Sequence, residues 1–398
     1  MARALVLILL ATACSKNESS SPKQQPPDKP IEHPEPPPAY LGKFKDPPRE
    51  AGPAHATQIA LGSYHGCARM SDDTMRCWGD NGAHQLGVDP YKHPKGAVAT
   101  PPVTDVVQVA AGQMFTCARK RDHTVWCWGY DLYGELGKGG DQSYSHDAAQ
   151  IKGVTDAVDI DAGDRDVCVV NSDATVMCWG DNSMGQLGDG TTEKRAGPVR
   201  AKVTAVKQVS VGFGVCALRI DGTVACWGEQ GPQITQPTGE PLKDVVRVAI
   251  GGGTGCAVRV TGELWCWGNN DTGQLGRPDP ADTKPGPVPG FENANWAAPA
   301  GDHACAVGDT TVYCWGIQSA HPAFPKDCLR LTHHTGGAGA GGPSGGAVAN
   351  WPYCPTPTAI PDVKDAIAVE TMWHDGTCAL TRDGSVYCWS DKVEKLAL

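Results

Sequence analysis

Cysteine is the residue whose number and spacing could do the most chemistry in this sequence. The 398 residues include 17 cysteines, and fourteen of them form seven pairs whose partners stand nine or ten positions apart. A zinc site needs closely spaced ligands such as C-x2-C, which the sequence lacks, so we interpret the pairs as disulfides and keep metal binding as the alternative. The pairs are Cys67/Cys77, Cys117/Cys127, Cys168/Cys178, Cys216/Cys226, Cys256/Cys266, Cys305/Cys314 and Cys378/Cys388.

The segment from Val215 to Gly228 shows which element could hold such a pair. Two apolar runs flank Asp221-Gly222, a pattern that predicts a β-hairpin. A three-residue loop over 220–222 places Cys216 directly opposite Cys226 at a non-hydrogen-bonded site, where Cα atoms approach to about 4.5 Å. In the pair with the shorter spacing, a two-residue loop at Asp309-Thr310 preserves the same pairing. Seven cysteine hairpins are therefore expected.

The remaining cysteines concern the cellular compartment. Cys328 and Cys354 could form an eighth pair, and so many paired cysteines indicate an oxidising environment. Only Cys14 is then left over. It follows residues 1–13, which have a basic start, a short apolar stretch and small residues at the end. Those features predict a secretory signal peptide that is too short to span a bilayer as a stable helix.

The end of this signal resembles a bacterial lipobox, although Leu10 stands one position further from the cysteine than in the usual pattern. The resemblance implies that Cys14 is the lipidated N-terminus of an exported protein anchored in the cell envelope, with a plain secreted form as the alternative. Ser15 implies the outer membrane, on its periplasmic side or at the cell surface. Residues 14–52 are rich in Pro, Ser, Lys and Gln and predict an extended tether.

The composition limits the classes of fold and partner. The chain has 49 Gly, 32 Pro and a net charge of -10. Short apolar segments between Gly- and Pro-containing turns favour an all-β architecture. The negative charge and the lack of a Lys/Arg cluster argue against nucleic acid as a partner. A membrane contact is expected only through the lipid anchor.

The cysteine hairpins belong to a longer repeat. Their first cysteines stand at positions 67, 117, 168, 216, 256, 305 and 378, a spacing that suits one four-stranded blade each. The segments WGDNSMGQLGDG from Trp179 to Gly190 and WGNNDTGQLG from Trp267 to Gly276 closely resemble the regulator-of-chromosome-condensation repeat. Looser copies run from Trp78 to Gly87 and from Trp128 to Gly137, whereas blades four, six and seven lack the Gly-Gln-Leu-Gly portion.

This resemblance covers about residues 55 to 398 and implies an all-β fold, a seven-bladed β-propeller with four-stranded blades, in an exported, disulfide-rich bacterial branch of the family. We assign residues 53–398 to the propeller, with an insertion at 317–359. Only seven residues follow Asp391. We therefore predict that a segment between about Tyr40 and Ala60 supplies the missing outer strand of the last blade and so closes the ring.

Two surfaces are candidates for binding. The loop before each first cysteine varies between blades, and propeller symmetry brings these loops to one face, where exposed aromatic and charged side chains are typical of protein recognition. The insertion is the second surface, since long loops on rigid scaffolds commonly bind partners. The candidate binding residues are Tyr64, His65, Arg165, His303, Trp373 and His374 on the loops and Trp351 and Tyr353 in the insertion.

Metal sites and catalysis are weaker hypotheses. The acidic residues Asp159, Asp161, Asp164 and Asp166 could form a calcium site or a solvated loop, and His321, His333 and His334 could bind a transition metal. No nucleophile elbow, phosphate loop or H-E-x-x-H motif is present. We therefore predict no metal, no cofactor and no catalysis.

The resemblance implies a partner-binding platform without fixed chemistry. The sequence thus predicts an extracytoplasmic, membrane-tethered module that recognises a protein, with a glycan as the other candidate partner. One alternative is a propeller-type glycan lyase or hydrolase. It would need titratable groups to converge within about 6 Å at the axis, from among Asp164, Asp166, His303, His374 and Asp375. Another is a passive structural envelope lipoprotein.

Overall fold

The structure is a computed structural model that describes residues 45–93, 98–138, 143–228, 241–317, 329–332, 350–372, 376–389 and 393–398. For residues 329–332 and 350–353 it describes the backbone alone. The strands form seven separate sheets, each one blade of a seven-bladed β-propeller. The predicted fold class is confirmed. The described residues contain no helix, and so none that is long and apolar enough to cross a membrane.

Each blade begins with a strand at the central channel and continues outward through the cysteine hairpin. The innermost strands are β1 (Ala56–Leu61), β4 (Val106–Ala111), β8 (Ala157–Ala162), β12 (Val206–Val211), β15 (Val245–Gly251), β19 (Ala294–Pro299) and β24 (Ala366–Thr371). The second strands are β2 (His65–Met70), β5 (Phe115–Lys120), β9 (Asp166–Asn171), β13 (Gly214–Arg219), β16 (Thr254–Arg259), β20 (His303–Gly308) and β25 (Thr377–Thr381).

The third and fourth strands complete the blades. The third strands are β3 (Met75–Gly79), β6 (Val125–Tyr130), β10 (Val176–Gly180), β14 (Val224–Gly228), β17 (Leu264–Gly268), β21 (Thr311–Ile317) and β26 (Val386–Trp389). The outer strands are β7 (Tyr144–Gln150), β11 (Arg195–Arg200), β18 (Gly286–Pro287), β23 (Asn350–Ile360) and β27 (Glu394–Lys395). In blade one the single bridge of Cys77 to Ala99 takes this place, and in blade four residues 229–240 lie outside the described part.

Blade six receives its outer strand from the segment that the sequence suggested as an insertion. Strand β23 pairs with β21, and β22 (Leu329–Thr332) pairs with β23 to give a fifth strand. The remaining residues of the segment, 318–328 and 333–349, lie outside the described part.

The predicted hairpin register is confirmed. Cys216 faces Cys226, and Gly222 closes the loop with a φ of 82°, in the left-handed region that a glycine adopts without strain. In the shorter copy Gly308 pairs with Thr311 and Cys305 still faces Cys314. The loss of one residue in this turn therefore leaves the pairing of the two strands unchanged.

All seven hairpin pairs are disulfides, each with Cα atoms 4.1 Å apart. Because the cysteines are bonded to each other, the alternative of metal binding by these pairs is wrong. Cys354 is also disulfide-bonded, and its predicted partner Cys328 lies outside the described residues. The bonds join Cys67 to Cys77, Cys117 to Cys127, Cys168 to Cys178, Cys216 to Cys226, Cys256 to Cys266, Cys305 to Cys314 and Cys378 to Cys388.

The second cysteine of a pair also lies beside the outer strand, which the hairpin pattern did not predict. Cys127 is opposite Ala149 of β7, Cys178 is opposite Val199 of β11, and Cys266 is opposite Gly286 of β18. The register of the outer strand shifts directly after Cys127 and Cys178, whereas the hairpin itself stays regular on its inner side. The disulfide therefore fixes the middle two strands, and the outer strand adjusts to them.

Neighbouring blades are joined first by their backbones. The first residue of each innermost strand donates a hydrogen bond to the hairpin turn of the preceding blade, as Val106 N does to Asp73 O at 2.9 Å and Val206 N to Ala174 O at 3.0 Å. Because this bond needs no particular side chain, it recurs at all seven junctions, including that of Ala56 N with Gly384 O at 3.3 Å.

The Trp and Gly-Gln-Leu-Gly segments add a second link between blades. The indole Nε1 of a Cys-Trp-Gly tryptophan donates to the main-chain carbonyl of the Gln, or of the Glu that replaces it, in the preceding blade. The four bonds are Trp128 to Gln85 at 3.0 Å, and Trp179 to Glu135, Trp227 to Gln186 and Trp315 to Gln274 at 2.8 Å each. The repeat therefore encodes contacts between blades as well as a turn within a blade.

Polar side chains on the innermost strands supply a third link. Gln58 exchanges two hydrogen bonds of 2.9 Å with the backbone of Val109 in the next blade, and Gln208 does the same with Val248 at 3.0 and 3.2 Å. At the equivalent position of blade three, Asp159 accepts from Val209 N at 3.0 Å. These side chains line the channel and hold adjacent innermost strands in register.

The expected ring closure is wrong. The outer strand of blade seven is its own C-terminal β27, with Cys388 opposite Glu394 and Tyr387 opposite Lys395. A two-residue strand suffices, so the short C-terminal segment is long enough. Within the predicted range of about 40–60, residues 56–60 belong to β1, the innermost strand of blade one.

Candidate functional site

The face formed by the loops between first and second strands, here the loop face, contains an open pocket of about 350 Å³. Loops of blades one to four line it. Tyr64 is 43% exposed at the pocket. The exposed Arg165 lies over the ring of Tyr133, with its guanidinium carbon 4.7 Å from the ring centroid. These two predicted residues are therefore accessible and share one concave surface.

Three aspartates converge on this pocket. Asp164 and Asp166 flank Arg165, with Asp166 as the first residue of β9, and Asp181 follows β10. Burial raises the pKa of the Asp166 carboxyl well above its usual range, and the negative charges of Asp164 and Asp181 raise that pKa further. Asp166 is 2% exposed, and its Oδ2 has no hydrogen-bond partner in the described part of the chain. The pocket floor is consequently a buried carboxyl whose ionisation is disfavoured, next to two further acidic groups.

The Gly-Gln-Leu-Gly loop of blade three shapes one wall of the pocket. Asp181 N donates to Arg165 O at 3.0 Å, which holds this loop against the loop that begins the cysteine hairpin. The Asp181 carboxylate then accepts from Ser183, and Gln186 Oε1 accepts from Met184 N at 2.9 Å. This arrangement leaves Met184 54% exposed at the pocket. The loop supplies both an acidic and an apolar side chain to the site.

Two predicted binding residues are interior. His65 is 0% exposed and its Nε2 lies 2.7 Å from Thr116 Oγ1 of the next blade, and burial lowers the pKa of its imidazole to about 4. His303 is 4% exposed and lies between Asp302 Oδ1, 2.8 Å from its Nδ1, and Thr377 Oγ1, 3.4 Å from its Nε2. Every residue of the two strands that these histidines begin is buried, so the histidines link blades and are not presented to a partner.

The other predicted site residues are located less completely. Trp351 and Tyr353 lie in β23, opposite Leu331 and Leu329 of β22, where the structure describes the backbone alone. Trp373, His374, Asp375, His321, His333, His334 and Cys14 lie outside the described residues.

The acidic cluster suggested for calcium divides between two places. Asp159 and Asp161 lie in the channel and accept from the backbone of β12, with Val211 N 2.8 Å from Asp161 Oδ2. Asp164 and Asp166 line the loop-face pocket instead. Within the described ranges, no group of three His, Cys, Asp or Glu side chains could hold a metal ion.

The central channel is a second cavity, of about 820 Å³. Arg247 lies 3.5 Å from the ring centroid of Trp296, whose Nε1 donates to Glu370 Oε1 at 3.2 Å. Burial raises the pKa of Glu370 to about 8 and that of Asp161 to about 7, and each is raised further by a neighbouring acidic residue. The channel therefore contains carboxyl groups that change charge near neutral pH.

Sequence reasoning missed several of these residues. Asp181 and Met184 were included in the repeat motif but not proposed as site residues, although an exposed Met in a polar loop is a usable signal. Arg247 and Trp296 occupy the position that is Gln in three other blades, so alignment of the innermost strands could have found them. Their contacts across the channel follow only from the ring.

Comparison with known proteins identifies the class of repeat. Two sequence models described as "Regulator of chromosome condensation (RCC1) repeat" match the chain. One matches residues 56–85, 106–135, 157–186 and 245–274, and the other residues 173–218 and 261–307. These segments of the β-propeller are similar to RCC1 repeats, as the sequence resemblance implied. No curated protein sequence matches the chain.

Solved structures with this fold include yeast RCC1 (Prp20) bound to Kap60. It is 20% identical with a TM-score of 0.63, and the alignment covers 86% of this chain and 84% of that chain. Prp20p from Saccharomyces cerevisiae, studied together with its binding to Gsp1p and histones, is 19% identical with a TM-score of 0.66, over 90% of this chain and 89% of that chain. These similarities establish a shared fold.

Proposed function

We propose that this protein is an extracytoplasmic, membrane-tethered module that binds a protein partner through the loop face and performs no catalysis. The observation that carries the proposal is the pocket that groups Tyr64, Arg165 and Met184, two aromatic or apolar side chains and one Arg, on a rigid surface. Exposed aromatic residues and Arg dominate the binding energy of protein interfaces. Yeast RCC1 (Prp20), which shares the fold, has been solved with a protein, Kap60, bound to it, and this supports a protein as the partner here.

The path of the N-terminal segment supports a tethered orientation. Glu50 N donates to Ser71 O at 3.0 Å, and Arg49 forms an ion pair with the buried Asp73 at 3.1 Å. Asp46 likewise pairs with Arg119 at 2.8 Å. Ser71 and Asp73 belong to the hairpin turn of blade one, at the opposite end of its strands from Tyr64. A tether arriving there leaves the loop face free to meet a partner.

Cross-linking of the intact protein in its own cells tests the proposed face. We expect Tyr64→Ala together with Arg165→Ala to reduce a specifically cross-linked partner at least about tenfold, the size expected when interface anchors are lost. The matched control is Val260→Ala, which changes a 70% exposed side chain in a hairpin turn on the opposite face. Equal recovery of the partner with the double variant and the control would reject the loop face as the interface.

Anchoring through Cys14 has its own measurement. In detergent phase partition, the mature wild-type protein is expected in the detergent phase, since an acyl chain adds about 0.8 kcal/mol per buried CH₂. Cys14→Ser should move it to the aqueous phase. A variant that stays with the detergent would show that Cys14 does not carry the anchor.

A further inference from the structure

Asp166 is the most unusual polar group in the loop-face pocket. Its carboxyl is buried, yet Oδ2 has no hydrogen-bond partner among the described residues, whereas buried polar atoms of native proteins are nearly always satisfied. The atom belongs to a residue that lines an open pocket of about 350 Å³. An unpaired acceptor in such a position is suited to a donor that comes from a bound molecule.

The charge around Asp166 selects the type of donor. The negative charges of Asp164 and Asp181 reach its carboxyl and disfavour its ionisation. No Lys, Arg or His of the described ranges forms an ion pair with Asp166 or Asp181. Arg165 is the only basic residue among the described ones that line the pocket, and its guanidinium lies over Tyr133. A positively charged donor would therefore be stabilised here.

The apolar walls narrow the choice further. Tyr64 and Met184 are 43% and 54% exposed, and Phe213 also lines the pocket. Lys and Arg side chains bury an aliphatic stem against such surfaces while a polar group binds their charged end. Apolar walls do not coordinate a metal ion, and the described residues offer no group of side chains that could hold one.

We propose that this pocket binds a Lys or Arg side chain of the protein partner, whose terminal N–H group donates to Asp166 Oδ2 while its stem packs between Tyr64 and Met184. This inference rests on the proposed function and specifies the chemistry of its partner. It predicts a partner with a basic side chain exposed at the point of contact.

Blocked tripeptides test the pocket without knowledge of the partner. The probes are Ac-Gly-Lys-Gly-NH₂ and Ac-Gly-Arg-Gly-NH₂, with the neutral Ac-Gly-Gln-Gly-NH₂ for comparison, and their binding to the oxidised full-length protein is measured by ligand-observed NMR. We expect at least one basic peptide to bind at least about tenfold more tightly than the neutral peptide, as a charge-assisted bond allows. Asp166→Asn should abolish that preference.

Two further variants make the result interpretable. Asp181→Asn should weaken basic-peptide binding at least about threefold. It tests the pocket independently if Asp166→Asn does not fold. Asp271→Asn changes an exposed carboxylate of the blade-five loop on the same face and should bind like the wild type. Equal binding of all three peptides, or an unchanged preference in both pocket variants, would overturn the proposal. So would binding of Ca²⁺ and of none of the peptides.

This failure is distinguishable from failure of the proposed function. If the cross-linked partner is lost in the Tyr64/Arg165 variant but is retained in Asp166→Asn and Asp181→Asn, the loop face binds a partner without the basic side chain, and only the present inference is rejected. If the partner survives the Tyr64/Arg165 variant, the loop face itself is rejected.

Discussion

The three junctions that join blade one to two, two to three and three to four differ from the junction between blades seven and one, which closes the ring. Each of the first three junctions has a tryptophan bond to the preceding loop and a polar side chain that joins adjacent innermost strands. At the closing junction, Ala368 occupies the position of Gln58, and its methyl group cannot form a hydrogen bond. Blade seven also lacks a Gly-Gln-Leu-Gly segment.

Apolar packing is prominent where the ring closes. Ile59, Met70 and Trp78 of blade one form one buried cluster with Leu380 and other residues of blade seven. The comparison teaches that the tryptophan bond forms where the loop motif of the preceding blade is intact. At the closing junction the ring depends on the backbone bond of Ala56 and on burial of side chains, which is non-directional.

The largest expected effect comes from a cavity at the closing junction. Leu380→Ala removes a side chain that is 1% exposed in the closing cluster and should lower the free energy of unfolding by about 3 kcal/mol. Hydrogen exchange should accelerate in β1 and β24 before other innermost strands. Leu218→Ala, at an equally buried position between blades four and five, is the control. If both variants accelerate hydrogen exchange in the same strands, the closing junction does not open separately from the others.

The tryptophan bond can be isolated by a matched pair of substitutions. Trp179 donates to Glu135 O, whereas Trp267 Nε1 has no hydrogen-bond partner in the described part of the chain, and both side chains are buried. Replacement by Phe removes similar volume at each position. We expect Trp179→Phe to cost about 1 kcal/mol more than Trp267→Phe in chemical denaturation. Equal losses would mean that the bond adds no stability.

The channel carboxyls predict a pH dependence. The folded-state pKa values of Glu370 and Asp161, about 8 and about 7, lie above their ordinary values. Between pH about 4 and 8 the folded protein therefore binds more protons than the unfolded chain, and stability falls as pH rises through this window. Glu370→Gln retains an acceptor for Trp296 Nε1 and should flatten the decline by on the order of 1 kcal/mol.

The control for this measurement is Glu292→Gln, which changes an exposed carboxylate. Thermal or urea unfolding at several pH values compares the slopes. A decline in Glu370→Gln as steep as that in the wild type and in the control would exclude Glu370 as its source.

The smallest expected effect concerns the one intact loop that has Glu in place of Gln. Glu135 is 2% exposed, and burial raises the pKa of its carboxyl to about 7. The stability that the protonated carboxyl contributes to the fold is therefore lost as pH rises through that value. Glu135→Gln should raise the free energy of unfolding at pH 8 by about 0.5 kcal/mol and change it little at pH 5. An equal change at both pH values would point to packing and not to charge.

The predictions made from the sequence were right for features that residues close together in the chain determine, and wrong for the strand that closes the ring. The cysteine hairpins and the number of blades follow from residues less than about fifteen positions apart, and they are confirmed. The prediction of the strand that closes the ring was wrong because it depends on how few residues can pair at a sheet edge. The local sequence pattern does not define that number. Tyr64 and Arg165 were correctly placed on an exposed face.

The sequence by itself determined the hairpin register, the seven disulfides and the repeat, because turn geometry and strand alternation are local. Only the tertiary structure decided which loop residues are accessible. It buried His65 and His303 between blades, and it brought Asp181 and Met184 from one loop to Asp166 in another. The physical reason is that burial and charge interactions depend on neighbours from other blades, whose positions are set by closure of the ring.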